Sequence, residues 1–449
     1  MRPTAQDLAS RHAGAEHVCG ACGYTSARWF GRCPECAEWS SARTSSASTP
    51  SPAITSLVHD GPPPQRVATG MCELDRVLGG GLVAGSAILL AGEPGIGKST
   101  LVLQLMDGVI AQGRRALLMT GEESVAQVAL RGARLNVAAG KFLVSASSSL
   151  EEVLAASLSQ RPDVVVVDSV QTLRDGGLEA AAGSVLQVRE CASTLVAHAK
   201  QTGTVVVMVG HVTKEGAVAG PKALEHVVDS VITLEGERDG SLRTLRVSKN
   251  RFGSCTETGV LKLGSSGLEP VEDPSAMMLA DRLPGIPGSM VFPCLEGSRP
   301  VLVELQALLT PTPQAQPRRV AIGVDGRRLT LLLGVLSERC DESFHSQDVF
   351  AAAAGGLAVR EPAADLALSL ALLSAKSGAC IDQTTTAFGE VGLGGEIRRV
   401  PATQRRVDEA LRMGFRTAIV PRGSERSSSG MEEISVGDIR DAWHACTGT

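Results

Sequence analysis

The amino-acid sequence predicts an α/β fold in which a parallel sheet carries helices on both faces. Three observations support this prediction. The apolar run at 87–91 is followed by a glycine-rich loop and then by the helix-forming segment LVLQLM. Two further apolar runs, VVVVD and TVVVMVG, are separated by a helical segment at 184–201. Strands that are apolar along their whole length are typical of parallel sheets, because helices cover both faces of such a sheet.

The composition is that of a globular protein with several domains. The chain has 449 residues, which is too long for a single hydrophobic core. Its residues are 43% hydrophobic, and no apolar run is long enough to span a membrane. The amino terminus lacks the apolar segment of a secretory signal, so we expect a cytoplasmic protein with no membrane partner. The net charge of −5 neither requires nor excludes a polyanionic partner.

Four cysteines near the amino terminus have the spacing of a zinc site, C-x₂-C-x₁₀-C-x₂-C. They are Cys19, Cys22, Cys33 and Cys36. Four thiolates leave no open position on a tetrahedral Zn²⁺, so we expect a structural ion. A segment of about 40 residues buries too little apolar surface to fold without the metal. The alternative, a pair of redox motifs, is disfavoured because no thioredoxin-like pattern surrounds the cysteines.

The strand–loop–helix segment at 86–100 contains the pattern G-x-x-x-x-G-K-[ST]. Backbone N–H groups of such a loop surround phosphate oxygens, and the amino terminus of the following helix adds partial positive charge. We expect Lys98 to reach the β- and γ-phosphates of ATP and Ser99 to ligate Mg²⁺. The predicted nucleotide-binding residues of this segment are Gly92, Glu93, Pro94, Gly95, Ile96, Gly97, Lys98, Ser99 and Thr100.

Polar residues that follow three other predicted strands are expected to complete a site for ATP hydrolysis. After the strand at 114–120, Glu122 is the first candidate for the carboxylate that polarises the attacking water, and Glu123 is the second. The alternative role for either acid is to start the next helix. Asp168 ends the strand at 161–168 and is expected to hold Mg²⁺. His211 is predicted to sense the γ-phosphate, although a lone histidine is often only structural.

Two basic segments follow. The loop after His211 carries Lys214 and Lys222, which are candidate contacts to a nucleic-acid backbone. A hairpin over the Asp-Gly pair at 239–240 is predicted to deliver the KNRFG segment, residues 249–253.

Together these motifs resemble the RadA (Sms) family of bacterial DNA repair proteins. The resemblance covers nearly the whole chain and depends on the cysteine module, GEPGIGKST, TGEES, VVVVDSVQTL, GHVTKEGAVAGPKALEH and above all KNRFG. It implies a RecA-like ATPase core, a ring-shaped homohexamer, and an ATP-driven motor on single-stranded and branched DNA. It also implies branch migration in homologous recombination, beside a RecA-type recombinase. By the same resemblance, Lys249 and Arg251 reach the γ-phosphate of the neighbouring subunit; direct contact of the KNRFG segment with DNA is the alternative.

The expected organisation has five segments. They are a C4 zinc-finger module at 1–40, a flexible linker at 41–60, the RecA-like ATPase domain at 61–270, a second linker at 271–288, and a domain at 289–449. The last domain looks like the proteolytic domain of Lon, which needs a serine nucleophile and a lysine base. Alignment puts Ala363 at the serine position and Gln404 or Arg405 at the lysine position, so we expect an interaction domain without peptidase activity.

Two clusters of arginines in this C-terminal domain are candidates for a DNA-binding face. They consist of Arg398, Arg399, Arg405 and Arg406, and of Arg318, Arg319, Arg327 and Arg328. Two other functions stay open from the sequence. One is a nucleotide-switched ring that does not translocate, which differs from the motor in whether single-stranded DNA accelerates ATP hydrolysis. The other is an ATP-fuelled protease, which the missing serine and lysine disfavour.

Overall fold

The computed structural model describes residues 16–22, 24–26, 28–39, 42–45, 65–138, 142–211, 224–236, 241–314, 316–425, 427–428 and 430–447. The chain divides into two compact units, Met1–Pro63 and Pro64–Thr449. Each unit is described by itself below.

The amino-terminal unit contains a three-stranded antiparallel sheet. Its strands are β1 (Glu16–Cys19), β2 (Thr25–Ser26) and β3 (Ala42–Ser45), in the order β2-β1-β3. Strand β3 lies in the segment predicted as a flexible linker, so that prediction is wrong for residues 42–45. Backbone pairing with β1 orders this segment even though its side chains carry no apolar pattern. The rest of the predicted linker, residue 41 and residues 46–60, lies outside the described residues.

Among the residues that the structure describes, the larger unit contains two large sheets, two two-stranded sheets (Arg66–Val67 with Leu82–Val83, and Glu390–Val391 with Ile397–Arg398) and ten α-helices. The strands are β4 (Arg66–Val67), β5 (Leu82–Val83), β6 (Ala87–Gly92), β7 (Ala116–Thr120), β8 (Leu143–Ala146), β9 (Val164–Asp168), β10 (Val205–His211), β11 (Ser230–Glu235), β12 (Leu242–Asn250), β13 (Thr258–Gly264), β14 (Gly267–Pro270), β15 (Ser289–Glu296), β16 (Arg299–Pro311), β17 (Arg319–Ile322), β18 (Gln347–Ala353), β19 (Thr385–Ala387), β20 (Glu390–Val391), β21 (Ile397–Arg398), β22 (Thr417–Pro421) and β23 (Glu432–Val436). The helices are α1 (Cys72–Leu78), α2 (Lys98–Ala111), α3 (Val125–Arg134), α4 (Leu150–Gln160), α5 (Val185–Thr202), α6 (Pro274–Leu279), α7 (Gly326–Arg339), α8 (Asp365–Ser377), α9 (Thr403–Arg412) and α10 (Ile439–Thr447). None of these helices has both the length and the apolar character needed to cross a bilayer.

Nine strands form the first sheet, in the order β14-β13-β12-β11-β6-β10-β9-β7-β8. From β11 to β8 the neighbours run parallel, whereas β12, β13 and β14 are added antiparallel. Helices α1 and α2 pack on one face and α4 and α5 on the other, which buries the central strands on both sides. The predicted parallel sheet with helices on both faces is confirmed, and so is the helix predicted at 184–201.

Two short helices lie where the sequence does not indicate a helix. Helix α1 lies in the glycine-rich segment at 70–85, which precedes the phosphate-binding segment, and α6 lies in the predicted linker at 271–288. Met278 of α6 packs in the core of the C-terminal sheet, and Ser275 Oγ donates a hydrogen bond to Glu409 Oε1 at 2.5 Å. The segment 271–288 is therefore folded onto the C-terminal domain and does not act as a spacer. Helices of six or seven residues have too few apolar positions to show a helical period in the sequence.

The C-terminal sheet has seven strands in the order β17-β18-β16-β15-β19-β22-β23. Helix α8 is buried along nearly its whole length at the centre of this domain, and α7 contacts it. The sequence predicts helices at 329–340 and 363–376, and α7 and α8 confirm both. The first strand of the sheet, β15, starts at Ser289, where the sequence places the start of the domain.

The turn between β15 and β16 joins this domain to the first sheet. Arg299 Nη1 lies 3.1 Å from Glu73 Oε2 on α1, and the Glu73 side chain is only 1% exposed. Ser298 N donates to the carbonyl oxygen of Thr256 at 2.6 Å, and Glu296 forms an ion pair with Arg246 on β12. Because buried ion pairs need fixed geometry, these contacts hold the two sheets in one compact body.

Candidate active site and metal centre

The loop between β6 and α2 has a backbone that suits phosphate binding. Gly95 and Gly97 have φ angles of 79° and 117°, left-handed values that favour glycine. A Cβ atom on Gly92 would lie 2.7 Å from the carbonyl oxygen of Leu234, so the start of the loop has room only for glycine. Helix α2 begins at Lys98, which places its free N–H groups and the positive end of its dipole at this loop.

The Lys98 side chain is held inside the phosphate-binding loop by hydrogen bonds to the backbone of the loop. Its Nζ atom donates hydrogen bonds to the carbonyl oxygens of Gly92 and Glu93, at 2.9 and 3.0 Å. Burial lowers the pKa of Lys98, and the nearby carboxylates of Asp168 and Glu122 oppose that shift. A phosphate oxygen is a stronger acceptor for an ammonium group than a peptide carbonyl. The residues therefore fit the triphosphate of a nucleotide.

Ser99 and Asp168 form an oxygen-rich pair next to Lys98. The Ser99 side chain is hydrogen-bonded to the Asp168 carboxylate at the end of β9. Burial raises the pKa of Asp168, and the bond from Ser99 acts in the opposite direction. A hydroxyl and a carboxylate are ligands that Mg²⁺ prefers, and a bound cation would offset the cost of burying the carboxylate. This donor set fits Mg²⁺, which would neutralise charge on the phosphates.

The two adjacent glutamates after β7 lie in different environments. Glu122 Oε1 accepts a hydrogen bond from Ser169 Oγ at 2.5 Å and lies 3.1 Å from His211 Nε2. Glu123 instead forms an ion pair with Arg131 on α3. Helix α3 is capped by the residue after them, Ser124, so neither glutamate caps that helix. Of the two candidate bases, Glu122 is the one that joins the cluster of polar residues around the loop.

His211 lies beside Gly92, because β10 pairs with β6 in parallel at that register. Its ring contacts Glu122, and its carbonyl oxygen accepts a hydrogen bond of 3.4 Å from Gln171 Nε2. Ser169 and Gln171 follow β9 at this edge of the sheet, and the sequence assigns them no role, since a serine or glutamine after a strand is common. The lysines of the following loop, Lys214 and Lys222, lie outside the described residues, as does the predicted turn at 239–240.

The KNRFG segment lies at the edge of the sheet where the parallel strands begin, whereas the phosphate-binding loop lies at the opposite edge, where they end. Arg251 N donates to the carbonyl oxygen of Asp229, and Asp229 N donates to that of Ala87, the first residue of β6. The phosphate-binding loop starts at Gly92, the last residue of β6. Five residues of a strand span about 17 Å. The structure therefore brings neither Lys249 nor Arg251 to the loop of its own chain.

The two cations of the KNRFG segment differ in their contacts. Lys249 Nζ donates to the carbonyl oxygens of Glu225 and Val228, at 2.6 and 2.7 Å, and burial lowers its pKa. Arg251 Nη1 lies 3.4 Å from Asp229 Oδ1, but the Arg251 side chain is 51% exposed. Lys249 thus anchors the chain segment that precedes β11, whereas Arg251 offers an accessible guanidinium.

The four cysteines of the amino-terminal unit converge on one point. The Cys19 and Cys36 Sγ atoms are 3.7 Å apart, and those of Cys22 and Cys33 are 3.6 Å apart. All four sulfurs lie within 4.8 Å of one another. Four sulfurs at about 2.3 Å from a tetrahedral Zn²⁺ would be about 3.8 Å apart. The spacing of these sulfurs fits one zinc ion with no open position.

The positions aligned with the Lon catalytic pair carry no catalytic arrangement. Ala363 is buried in the turn before α8. Gln404 Nε2 donates to Asp408 Oδ1 and Ser427 Oγ, at 2.7 and 2.8 Å. Arg405, the other residue proposed for the lysine position, donates to the carbonyl oxygen of Ser298 at 3.4 Å. None of these groups supplies a nucleophile with a base beside it.

Three of the eight arginines proposed for a DNA-binding face are buried or half-buried, and their side chains make structural contacts. Arg406 is fully buried and forms an ion pair with Glu361 at 2.5 Å, so its inclusion in a DNA-binding face is wrong. Arg328 is paired with Asp365, and Arg319 donates to backbone carbonyls at the start of β18 and before it. A cluster of charged residues in the sequence does not show which of them form ion pairs in the fold, because their partners come from distant parts of the chain.

Comparison with known protein families agrees with this fold and these sites. Residues 65–217 match the model of the AAA domain, and residues 17–43 match that of the rubredoxin metal binding domain. The first match covers strands β4 to β10 and the phosphate-binding loop, and the second covers the four cysteines. The protein is thus an AAA-type ATPase with an amino-terminal zinc ribbon.

Whole-chain relatives define the family. The chain is 43% identical over 450 residues to the DNA repair protein RadA of Halalkalibacterium halodurans, with 96% of this chain and 98% of that protein covered. It is 44% identical to the DNA repair protein RadA of Aquifex aeolicus and also to that of Pseudomonas aeruginosa, with 95% of this chain and 97% of each relative covered. The chain belongs to the RadA family of DNA repair proteins. The resemblance inferred from the motifs is confirmed.

Proposed function

We propose that the protein is a DNA-stimulated ATPase of homologous recombination that works as a homohexameric ring. In this proposal the ring moves along single-stranded DNA in the cytoplasm and promotes branch migration of branched recombination intermediates, in cooperation with a RecA-type recombinase. The relatives are DNA repair proteins by name, which supports a role in recombination. The observation that carries the proposal is the separation of the KNRFG segment from the phosphate-binding loop of the same chain.

The separation favours a site that is shared between two subunits. Lys98, Glu122 and Asp168 lie at one edge of the sheet, and Arg251 lies at the other, about 17 Å away along β6. Cations that stabilise charge on a γ-phosphate act at hydrogen-bond distance. The accessible Arg251 therefore contacts the γ-phosphate of the ATP bound by a neighbouring subunit. Each subunit supplies Arg251 to one neighbour, and its own ATP is contacted by Arg251 of another.

The residues of one subunit then divide the chemistry among themselves. Lys98 and the N–H groups of the loop bind the β- and γ-phosphates, and Ser99 and Asp168 would hold Mg²⁺. Glu122 accepts a proton from the attacking water. His211 contacts Glu122 and begins the segment that contains Lys214 and Lys222, so it links the state of the nucleotide to a candidate DNA contact.

The first test is ATP hydrolysis measured with and without single-stranded DNA, together with the mass of the protein in solution. We expect DNA to accelerate hydrolysis and the mass to be that of six chains. Unchanged hydrolysis in the presence of DNA would reject the motor and favour the nucleotide-switched ring. ATP-dependent peptide cleavage that is lost in Lys98→Ala would reject the assignment of a non-proteolytic C-terminal domain.

The second test asks whether Arg251 acts in a neighbouring subunit. Lys98→Ala and Arg251→Ala are expected to be inactive separately, but a random 1:1 mixed ring should contain roughly one quarter of sites with both groups intact. Mixing Arg251→Ala with the double variant Lys98→Ala/Arg251→Ala gives the matched control, because no site in that ring is complete. If the first mixture is no more active than the control, Arg251 does not act between subunits, and DNA contact is the better explanation of the KNRFG segment.

A further inference from the structure

One oxygen of the Glu122 carboxylate carries all the hydrogen bonds that the structure gives this group. Oε1 accepts from Ser169 Oγ at 2.5 Å and lies 3.1 Å from His211 Nε2. Among the described residues, none donates to Oε2. The side chain is 40% exposed. The carboxylate is therefore fixed on one side and open on the other.

Of the two residues that contact Glu122 Oε1, Ser169 is held more rigidly than His211. It directly follows Asp168, and it is fully buried. Its carbonyl oxygen accepts hydrogen bonds from Thr172 Oγ1 at 2.8 Å and from Thr172 N at 3.2 Å, and the turn between them buries Val170 completely. With its backbone held in this turn, the Ser169 hydroxyl is a donor of fixed position. His211, in contrast, has a side chain that is 28% exposed.

We propose that Ser169 is a positioning residue for hydrolysis: its hydroxyl holds Oε1 of Glu122, so that Oε2 alone faces the attacking water. This inference rests on the proposed role of Glu122 as the base. A general base must be within hydrogen-bond reach of the proton that it accepts, and a carboxylate free to rotate about its last side-chain bond spends less time in that geometry. The hydroxyl keeps the base oriented without touching the nucleotide.

The hydrogen bond to Glu122 allows the Ser169 hydroxyl to be buried at a site that otherwise needs to be open to water and nucleotide. A buried hydroxyl with no acceptor would cost stability, and Glu122 supplies that acceptor. Ser169 also connects the two acids of the site, because it is next to Asp168 in the chain and hydrogen-bonded to Glu122 in space. The Mg²⁺ ligand and the base therefore keep a fixed relation to each other.

The test compares Ser169→Ala with Ser157→Ala, a matched control that also removes a buried serine hydroxyl from this domain. Ser157 Oγ lies 2.8 Å from His198 Nε2, between α4 and α5. In Ser169→Ala we expect kcat to fall about 10- to 100-fold, the size of effect that a misplaced catalytic group produces. The Kd of a fluorescent ADP derivative should stay within twofold of the unmodified protein. In Ser157→Ala we expect neither quantity to change.

A double-variant cycle separates positioning from a general loss of structure. If Ser169 acts through Glu122, single-turnover hydrolysis by Glu122→Gln/Ser169→Ala should equal that by Glu122→Gln alone. Equal falls in kcat and ADP affinity in Ser169→Ala, or additive losses in the cycle, would overturn the inference. Full turnover in Glu122→Gln would overturn the proposed base and this inference with it. A loss in Glu122→Gln with normal kcat in Ser169→Ala would overturn this inference alone.

Discussion

Replacing Arg406 with methionine is expected to lower the free energy of unfolding of the C-terminal domain by about 3–5 kcal/mol. The Arg406 guanidinium is 0% exposed, and it holds both oxygens of Glu361, at 3.0 and 2.5 Å. It also donates to the carbonyl oxygens of Pro293 and Pro401. Methionine leaves all these acceptors without that donor, while its side chain fills much of the space and limits the cavity.

The contacts of Arg406 determine the size of this loss in the free energy of unfolding. Each buried carbonyl that loses its donor costs about 1–3 kcal/mol. The Glu361 side chain is 23% exposed, so water recovers part of its lost hydrogen bonding, and the amide of Leu295 still donates to it at 2.6 Å. The guanidinium also lies 5.6 and 5.8 Å from the ring centres of Phe292 and Phe388, and that attraction is lost as well.

The assay is differential scanning calorimetry of the full chain, with hydrogen exchange of the α9 amides to identify the transition. For a domain of this size, 1 kcal/mol corresponds to about 2–4 °C in Tm, so we expect a fall of about 10 °C. Arg398→Met is the matched control, because that side chain is 59% exposed and its pair with Glu396 should contribute under about 1 kcal/mol. If the Tm of Arg406→Met lies within about 2 °C of the Tm of the control, the buried pair does not stabilise this domain.

Three further predictions concern the loop, the zinc ribbon and an acid-sensitive ion pair. Lys98→Ala should abolish ATP turnover, as measured by phosphate release, because the loop loses its cation; near-normal release would contradict the site. Cys33→Ser should lose its zinc in a chelator-based colorimetric assay and keep nucleotide binding, and full zinc occupancy would reject the four-sulfur site. The hydrogen bond from Arg412 lowers the pKa of Asp273 to about 2. The ion pair between these residues therefore stabilises the folded protein fully above about pH 4, and this contribution is lost as the pH falls to about 2. The difference in Tm between the unmodified protein and Arg412→Ala should therefore be present at pH 7 and disappear near pH 2; a difference that persists at pH 2 would contradict it.

The elements that could be predicted from the sequence are those whose cause is local. Strand β9 has four valines followed by Asp168, and both its burial and its end at the site follow from that pattern alone. The phosphate-binding loop depends on glycines and a lysine at fixed spacing, which are also local. By contrast, α1 and α6 have seven and six residues, too few for a periodic signal.

The features that could not be predicted depend on residues far apart in the chain. Glu122 and Glu123 are adjacent acids with the same local signal, and their environments differ because Glu122 contacts Ser169 whereas Glu123 contacts Arg131. Arg406 belongs to an amphipathic, highly charged helix, and only its contact with Glu361, 45 residues earlier, makes it a core residue. Tertiary pairing of this kind has no signature in composition or periodicity.

The placement of the phosphate-binding loop and the KNRFG segment at opposite edges of one sheet gives the molecule two unlike ends. A dimer with two-fold symmetry that pairs two like ends would leave the other end of both subunits without a partner. Contact between unlike ends is head-to-tail, and it repeats until the rotation per subunit either closes a ring or continues as a filament. If Arg251 acts in a neighbouring subunit, the angle at the contact decides closure, and substitutions that change this angle would alter the assembly while leaving the site residues of each chain in place.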